Sequence, residues 1–168
     1  MHAIQDMNSL YVESLRDLYS AESQMLRALP RMEDAATESH LRDGFRNHLH
    51  QTRDHLTRLE SICRDMGVSP NGHFCKAMEG LIREGDELIN SVTDPTVLDA
   101  GLIGAAQKVE HYEISGYGTA REFARLLGYD NHAELLEETL KEEATTDEKL
   151  TEIAESYVNR QAAHVSSR

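Results

Sequence analysis

The sequence has no tryptophan, only three prolines and two cysteines, and few aromatics, which make up 5% of its 168 residues. With so little proline, long helices run uninterrupted, and the β-branched residues are scattered rather than gathered into strand-like runs. Cys63 and Cys75 flank a loop and could form a bridge in a secreted protein, but two thiols in a helical chain read more readily as the free thiols of a reducing cytoplasm. No run of about 18 apolar residues occurs, and no segment reads as crossing a membrane. The opening segment MHAIQDMNSL has neither a basic start nor an apolar centre, so no export signal is read there. Positive charge is short as well: 17 Lys and Arg stand against 30 Asp and Glu, a formal charge of −13. A surface this acidic repels phosphate backbones, and the arginines at 42, 46, 53, 58 and 64 are interrupted by acids and histidines. Nucleic acid is therefore excluded as a partner on this reading.

What the chain does have is Ala, Leu, Glu and Arg, the residues that lose least on entering a helix. Its 39% hydrophobic content suffices for one core, so residues 1–168 read as a single domain, ordered over about 4–158 with a frayed tail at 159–168. The first helix is expected from Ile4 to Ala36, with Pro30 marking a bend. Thr37 or Ser39 is the expected cap of the second, which ends at Gly67. After the loop GVSPNGH, a shorter helix is expected over Phe74–Val92. Asp94 followed by Pro95 marks the start of a long helix reaching Leu127. Asn131 with Glu134 resembles a capping box opening the last helix, to Val158.

Two long helices, a crossover with a short helix, and two more long helices give an all-α, ferritin-like four-helix bundle with an extra helix in the crossover. A simple up-down bundle has no need of residues 67–93, although an irregular five-helix domain would accept them.

Chemistry enters through polar residues on the apolar stripes, where helix neighbours lie three, four and seven positions apart. Glu22 has Leu18 and Leu26 four positions away and Leu15 and Leu29 seven away. Glu110 and Glu113 lie among Ile103, Ala106, Val109, Ile114, Tyr117 and Ala120. Glu143 and Asp147 lie among Leu136, Leu140, Leu150 and Ala154, while His48, Gln51 and His55 share the stripe of Phe45, Leu59 and Ile62. Any one of these acids, taken alone, reads as a stripe-edge residue that reaches water and pairs with arginine. Acids on three inward faces together call for a shared cation, because a bare buried carboxylate costs several kcal/mol. Two divalent metal ions meet that need, iron first, with manganese or zinc as other occupants. His48 alone reads as a hydrogen-bonded core histidine, and it stands about 10 Å along the helix from His55, too far for both to bind one metal. His40, His50, His73, His132 and His164 read as solvated. Tyr19, Tyr112 and Tyr117 read as packing residues with a second-layer hydrogen bond open to them.

The segments DLYSAESQMLRALPRM, FRNHLHQTRDHLTRLE, CKAMEGLI, IGAAQKVEHYEISGYGTA and ETLKEEATTDEKLTEIA resemble the YciE/YciF-like family of bacterial stress-associated proteins, within the ferritin-like superfamily. The resemblance implies a homodimer and a di-metal site of the rubrerythrin and ferritin kind. Its implied ligands are Glu22, Gln51, His55, Glu110, Glu113, Glu143 and Asp147. The family pattern has Glu at position 51 and Gln at 55, where this chain has Gln51 and His55, exchanging an anion for an imidazole. The resulting expectation is a cytoplasmic di-iron protein handling O2 or H2O2 in ferroxidase- or peroxidase-type chemistry. Glu22 and Glu110 would bridge the metals, with Gln51, His55, Glu143 and Asp147 terminal; the electron donor is open. The alternative is a non-enzymatic dimeric stress protein that keeps the bundle with a weak or degenerate metal site.

Overall fold

The computed structural model describes residues 4–165, and among them every regular element is helical. The elements are α1 (Met7–Ala35), α2 (Ser39–Asp65), α3 (Lys76–Ser91), α4 (Pro95–Leu126) and α5 (Asp130–Ile153). A single π-helical stretch, Ala154–Val158, then leads into α6 (Asn159–Ala163). None of these helices is long and apolar enough to cross a membrane.

Local chemistry explains most of the boundaries. Asp6 and Ser9 cap α1 reciprocally, the Ser9 N–H donating to Asp6 Oδ1 at 2.7 Å. Helix α1 passes Pro30 and ends only at Ala35. The cap of α2 is Glu38, whose carboxylate accepts the Leu41 N–H at 2.7 Å, and not Thr37 or Ser39. Thr37 is engaged elsewhere, on Asp99 of α4. The α2 terminus is closed by Gly67, at φ 66°, with the Val68 N–H returning to the Cys63 carbonyl at 2.9 Å. Asp94 caps α4 through the Thr96 and Val97 N–H groups, with Pro95 in the first turn, as the sequence predicts.

Two further expectations fail. The Asn131–Glu134 capping box does not form: α5 begins at Asp130 with no side-chain cap. Gly128, at φ 79°, turns the chain straight out of α4, so Asn131 already lies inside the first turn of α5. The tail is not frayed from 159, because helix continues to Ala163. Val158 is buried on the stripe of Leu150 and Ala154, which holds the last turns against the bundle. Residues 166–168 of the expected tail lie outside the described residues.

The links at 36–38 and 127–129 are short, and each folds its helices into an antiparallel pair, α1 on α2 and α4 on α5. The pairs meet through α1–α4 and α2–α5, and the crossover helix α3 rests on α4 and α1. Helices α1 and α4 approach closely at Gly116, where a Cβ atom would come within 2.8 Å of Leu18 Cδ2. Apolar side chains form two separate clusters. One gathers Met25, Leu29, Phe45, Leu102, Ile103 and Leu150 among others; the second gathers Tyr11, Leu15, Leu18, Leu59, Ile62 and Tyr117. Cys75 lies in the first and Cys63 in the second, both as free thiols.

Candidate metal centre

The layer between the two apolar clusters is polar. Glu22 comes from α1, His48, Thr52 and His55 from α2, Glu110 and Glu113 from α4, and Glu143 from α5. Their inward direction follows from their stripes: each sits three, four or seven residues from buried apolar positions, so the helix that buries those must bury the acid too. The six acids and histidines are at most 2% exposed.

Two groups of donors form. In one, His48, Glu110, Glu113 and Glu143 each offer an atom, all within 4.8 Å of one another. Glu22, His55 and Glu143 form the second on the same criterion of 4.8 Å. Glu143 belongs to both, whereas the sequence reading casts it as terminal and Glu22 and Glu110 as bridges. The two histidines fall into different groups, in keeping with their separation along α2.

Hydrogen bonds orient part of the layer. Tyr117 donates its phenol O–H to Glu22 Oε1 at 2.6 Å. His55 Nδ1 lies 3.1 Å from the same oxygen and 3.0 Å from Glu143 Oε1. The Glu22 contact is well directed and the Glu143 contact is not, so the attraction to Glu143 is mainly one of charge. The other ring nitrogen, Nε2, meets Glu142 Oε2 at 2.8 Å, and Arg58 grips that carboxylate at 2.6 and 3.1 Å. His48 Nε2 lies 3.3 Å from Glu110 Oε1 and 3.7 Å from Glu143 Oε2 without the alignment of a hydrogen bond.

Many donors remain orphaned. Glu22 Oε2, both His48 nitrogens, Glu110 Oε2, and both oxygens of Glu113 and of Glu143 are buried with no hydrogen-bond partner. An unpaired buried carboxylate either takes a proton or needs a cation. Burial, then the neighbouring carboxylates, push Glu110 and Glu113 well above the usual carboxyl range. Burial also raises Glu22, against the opposing pull of His55. At Glu143 burial works upward too, but His48 and His55 outweigh it and hold the carboxyl low. Burial lowers His55, yet the carboxylates of Glu143 and Glu22 beside it prevail and push it up to about 11. Hard oxygens and imidazoles converging without partners are the donor set for divalent first-row metals, so the residues fit the ions that the fold implies.

Glu22, His55, Glu110, Glu113 and Glu143 thus come together. Of the other expected ligands, Asp147 lies outside both groups. Gln51 is half-buried, with its Oε1 3.5 Å from the Thr146 hydroxyl. Asp147 accepts from Gln107 Nε2 at 3.2 Å and lies 3.4 Å from His111, its side chain 20% exposed. His48, read as a hydrogen-bonded core residue, is instead a member of the larger group. The available signal was its seven-residue spacing from His55 on one stripe. Glu142 escapes sequence reasoning because it stands off the stripe, one residue before Glu143. Of the tyrosines, Tyr117 touches the layer, while Tyr19 donates to Glu60 and Tyr112 to Asp17. His132, expected in solvent, is 4% exposed, pairs with Asp65 at 2.8 Å and belongs to the far end of the bundle. His73 is half-buried between Glu13 and Asp17.

Two antiparallel helix pairs joined by a crossover helix, with acids and histidines at mid-height, define a protein of the ferritin-like class. Within that class, the family described as domain of unknown function DUF892 matches residues 6–163, and the chain belongs to it. It is 43% identical over 163 residues to protein YciF of Escherichia coli strain K12, spanning 96% of each chain. The crystal structure of the E. coli stress protein YciF superposes with a TM-score of 0.89 at 42% identity, over 93% of this chain and 99% of that one. The bacterioferritin-related protein of Bacteroides fragilis, a dodecameric thioferritin, shares the fold at 13% identity, with a TM-score of 0.69 over 96% of this chain and 93% of its own.

Proposed function

We propose that this protein holds two divalent metal ions, iron first, in the polar layer and handles a small oxidant, O2 or H2O2, at them. The observation that carries this reading is the pair of donor groups that share Glu143. One ion would be held by His48, Glu110, Glu113 and Glu143, the other by Glu22, His55 and Glu143, with Glu143 common to both. Bound iron supplies Lewis acidity and electrons to an oxidant. The chain's own residues do the rest. Glu142 accepts a hydrogen bond from the Nε2 N–H of His55, leaving Nδ1 as the donor atom. Tyr117 orients Glu22, and the apolar clusters above and below exclude bulk water. A cytoplasmic homodimer is the assembly that this reading carries.

A second reading has its own observation. Glu110 and Glu113 are raised so far by burial that protons alone could fill the layer, leaving a scaffold without redox chemistry. Metal analysis of protein purified without chelator separates the two, run beside Glu143→Ala. Two metals per chain, falling below one in the variant, supports the metal centre; a metal-free parent that stays metal-free when iron is supplied sinks it. Gel filtration at micromolar concentration checks the dimer.

A further inference from the structure

The polar layer is closed on most sides, but a cleft of about 50 Å³ between α2 and α5 reaches it. Its floor is formed by His48 and Glu110, both members of the larger donor group. Its outer wall includes Asn47 and Lys149, which are exposed, and Gln51 and Thr146, which are half-buried. The cleft therefore leads from solvent to atoms that are otherwise sealed from it.

Size and charge decide what can use it. One water needs roughly 10–15 Å³ of such volume, so the space admits a few atoms and no organic substrate. A route for a divalent cation would be lined with carboxylates, which strip its hydration shell and draw it inward. Here the wall offers two amides, a hydroxyl and the ammonium of Lys149, and the only carboxylate is Glu110 at the floor. Gln51, expected as a ligand, gains a role from its position: it keeps the wall neutral. Resting on the metal reading above, we propose that the α2–α5 cleft is the port by which a small neutral or anionic oxidant of the peroxide class reaches the metal pair, and that metal ions arrive by another path.

Gly44 gives the handle for a test. It lines the cleft, and a Cβ atom there would meet nothing within 4 Å, so a bulky side chain can be introduced at the port without a clash at its Cβ. The probe is azide, a triatomic anion, binding to the Co(II)-loaded protein and followed by stopped-flow absorbance. Gly44→Phe, and independently Thr146→Leu on the opposite wall, should slow azide association by about tenfold or more while Co(II) stoichiometry and uptake rate stay at the parent value. Lys149→Glu should slow it several-fold at low salt, with the difference shrinking as salt is added. Unchanged azide rates in both blocking variants overturn the port. Co(II) uptake slowed as much as azide binding overturns its selectivity, since the cleft would then be the metal's path too. A parent that takes up no Co(II) overturns the metal reading and this inference with it, an outcome visible before any azide is added.

Discussion

A histidine that binds metal through one ring nitrogen works best when the other is held by an acceptor. Glu142 holds His55 in this way, and the grip of Arg58 keeps that carboxylate charged, against a burial that would raise it. On the metal reading, Glu142→Ala should therefore weaken Co(II) binding by about tenfold or more without touching a proposed ligand. Glu142→Gln, which can still accept from Nε2, should recover part of the loss; Co(II) titration at neutral pH reads both. If Glu142→Ala binds as the parent does, the His55–Glu142 contact has no bearing on the site. Glu113 makes the opposite kind of statement. Its carboxyl is raised well above its ordinary 4.5 in the fold, so the folded protein keeps a proton that the unfolded chain has lost. Stability from this group is present below about 4.5 and drains away as pH rises toward the folded value. Metal-free Glu113→Gln should then show a flatter fall in its urea midpoint between about pH 5 and pH 8, and exceed the parent at the upper end. Equal slopes would show that Glu113 is not the strained acid. Both residues test what the sequence left legible. Glu113 is visible from its stripe, whereas Glu142 is not, because its role depends on a neighbouring helix that no spacing within α5 reveals.

At the level of elements, the turn between α1 and α2 is held from outside. Asp99 of α4 is 2% exposed and accepts from the Thr37 N–H at 2.8 Å, the Thr37 hydroxyl at 2.6 Å and the Glu38 N–H at 2.9 Å. One carboxylate thus ties the start of α2 to the far helix pair. Asp99→Ala leaves those donors without their acceptor and should cost about 2–4 kcal/mol in urea unfolding, with Asp99→Asn losing less. A loss under about 0.5 kcal/mol would mean that water replaces the carboxylate freely. This contact also explains a misplaced boundary. Thr37 has the chemistry of a cap, and only the approach of α4 diverts it and leaves the cap to Glu38. The five main helices were legible because their stripes and breakers are local. The Asp94–Pro95 start is local in the same sense and matches the structure. Asn131 misleads for the opposite reason: the glycine turn at 128 sets where α5 begins, so a good capping residue falls two positions past the cap.

Across the whole molecule, a metal that binds only the folded chain adds stability by mass action. At a free concentration one hundred times its Kd that is about 2.7 kcal/mol, or roughly 5–10 °C in Tm for a chain of this length. A scan with and without Fe(II) or Co(II), in oxygen-free buffer, checks the shift; no rise at saturating metal argues for a proton-filled layer. The fold was readable at this scale because the order of long and short helices is itself a topology. The arrangement of the layer was less so, since Asp147 shares a stripe with Glu143 and only packing turns it aside, toward Gln107 and His111.

The separation of the apolar side chains into two clusters has a consequence for how the bundle comes apart. Without metal, the slab between them is held by few directed bonds and carries carboxyls that burial strains, so it is a seam. The two halves should open as distinct cooperative blocks, with amides beside Glu22, His55 and Glu113 exchanging hydrogen sooner than those deep in either cluster. Metal at the seam would rivet the blocks together, and exchange across α1, α2, α4 and α5 would converge on a single, slower opening. Such a protein would carry its record of metal supply in its breathing, rigid when the ions are present and segmented when they are withdrawn.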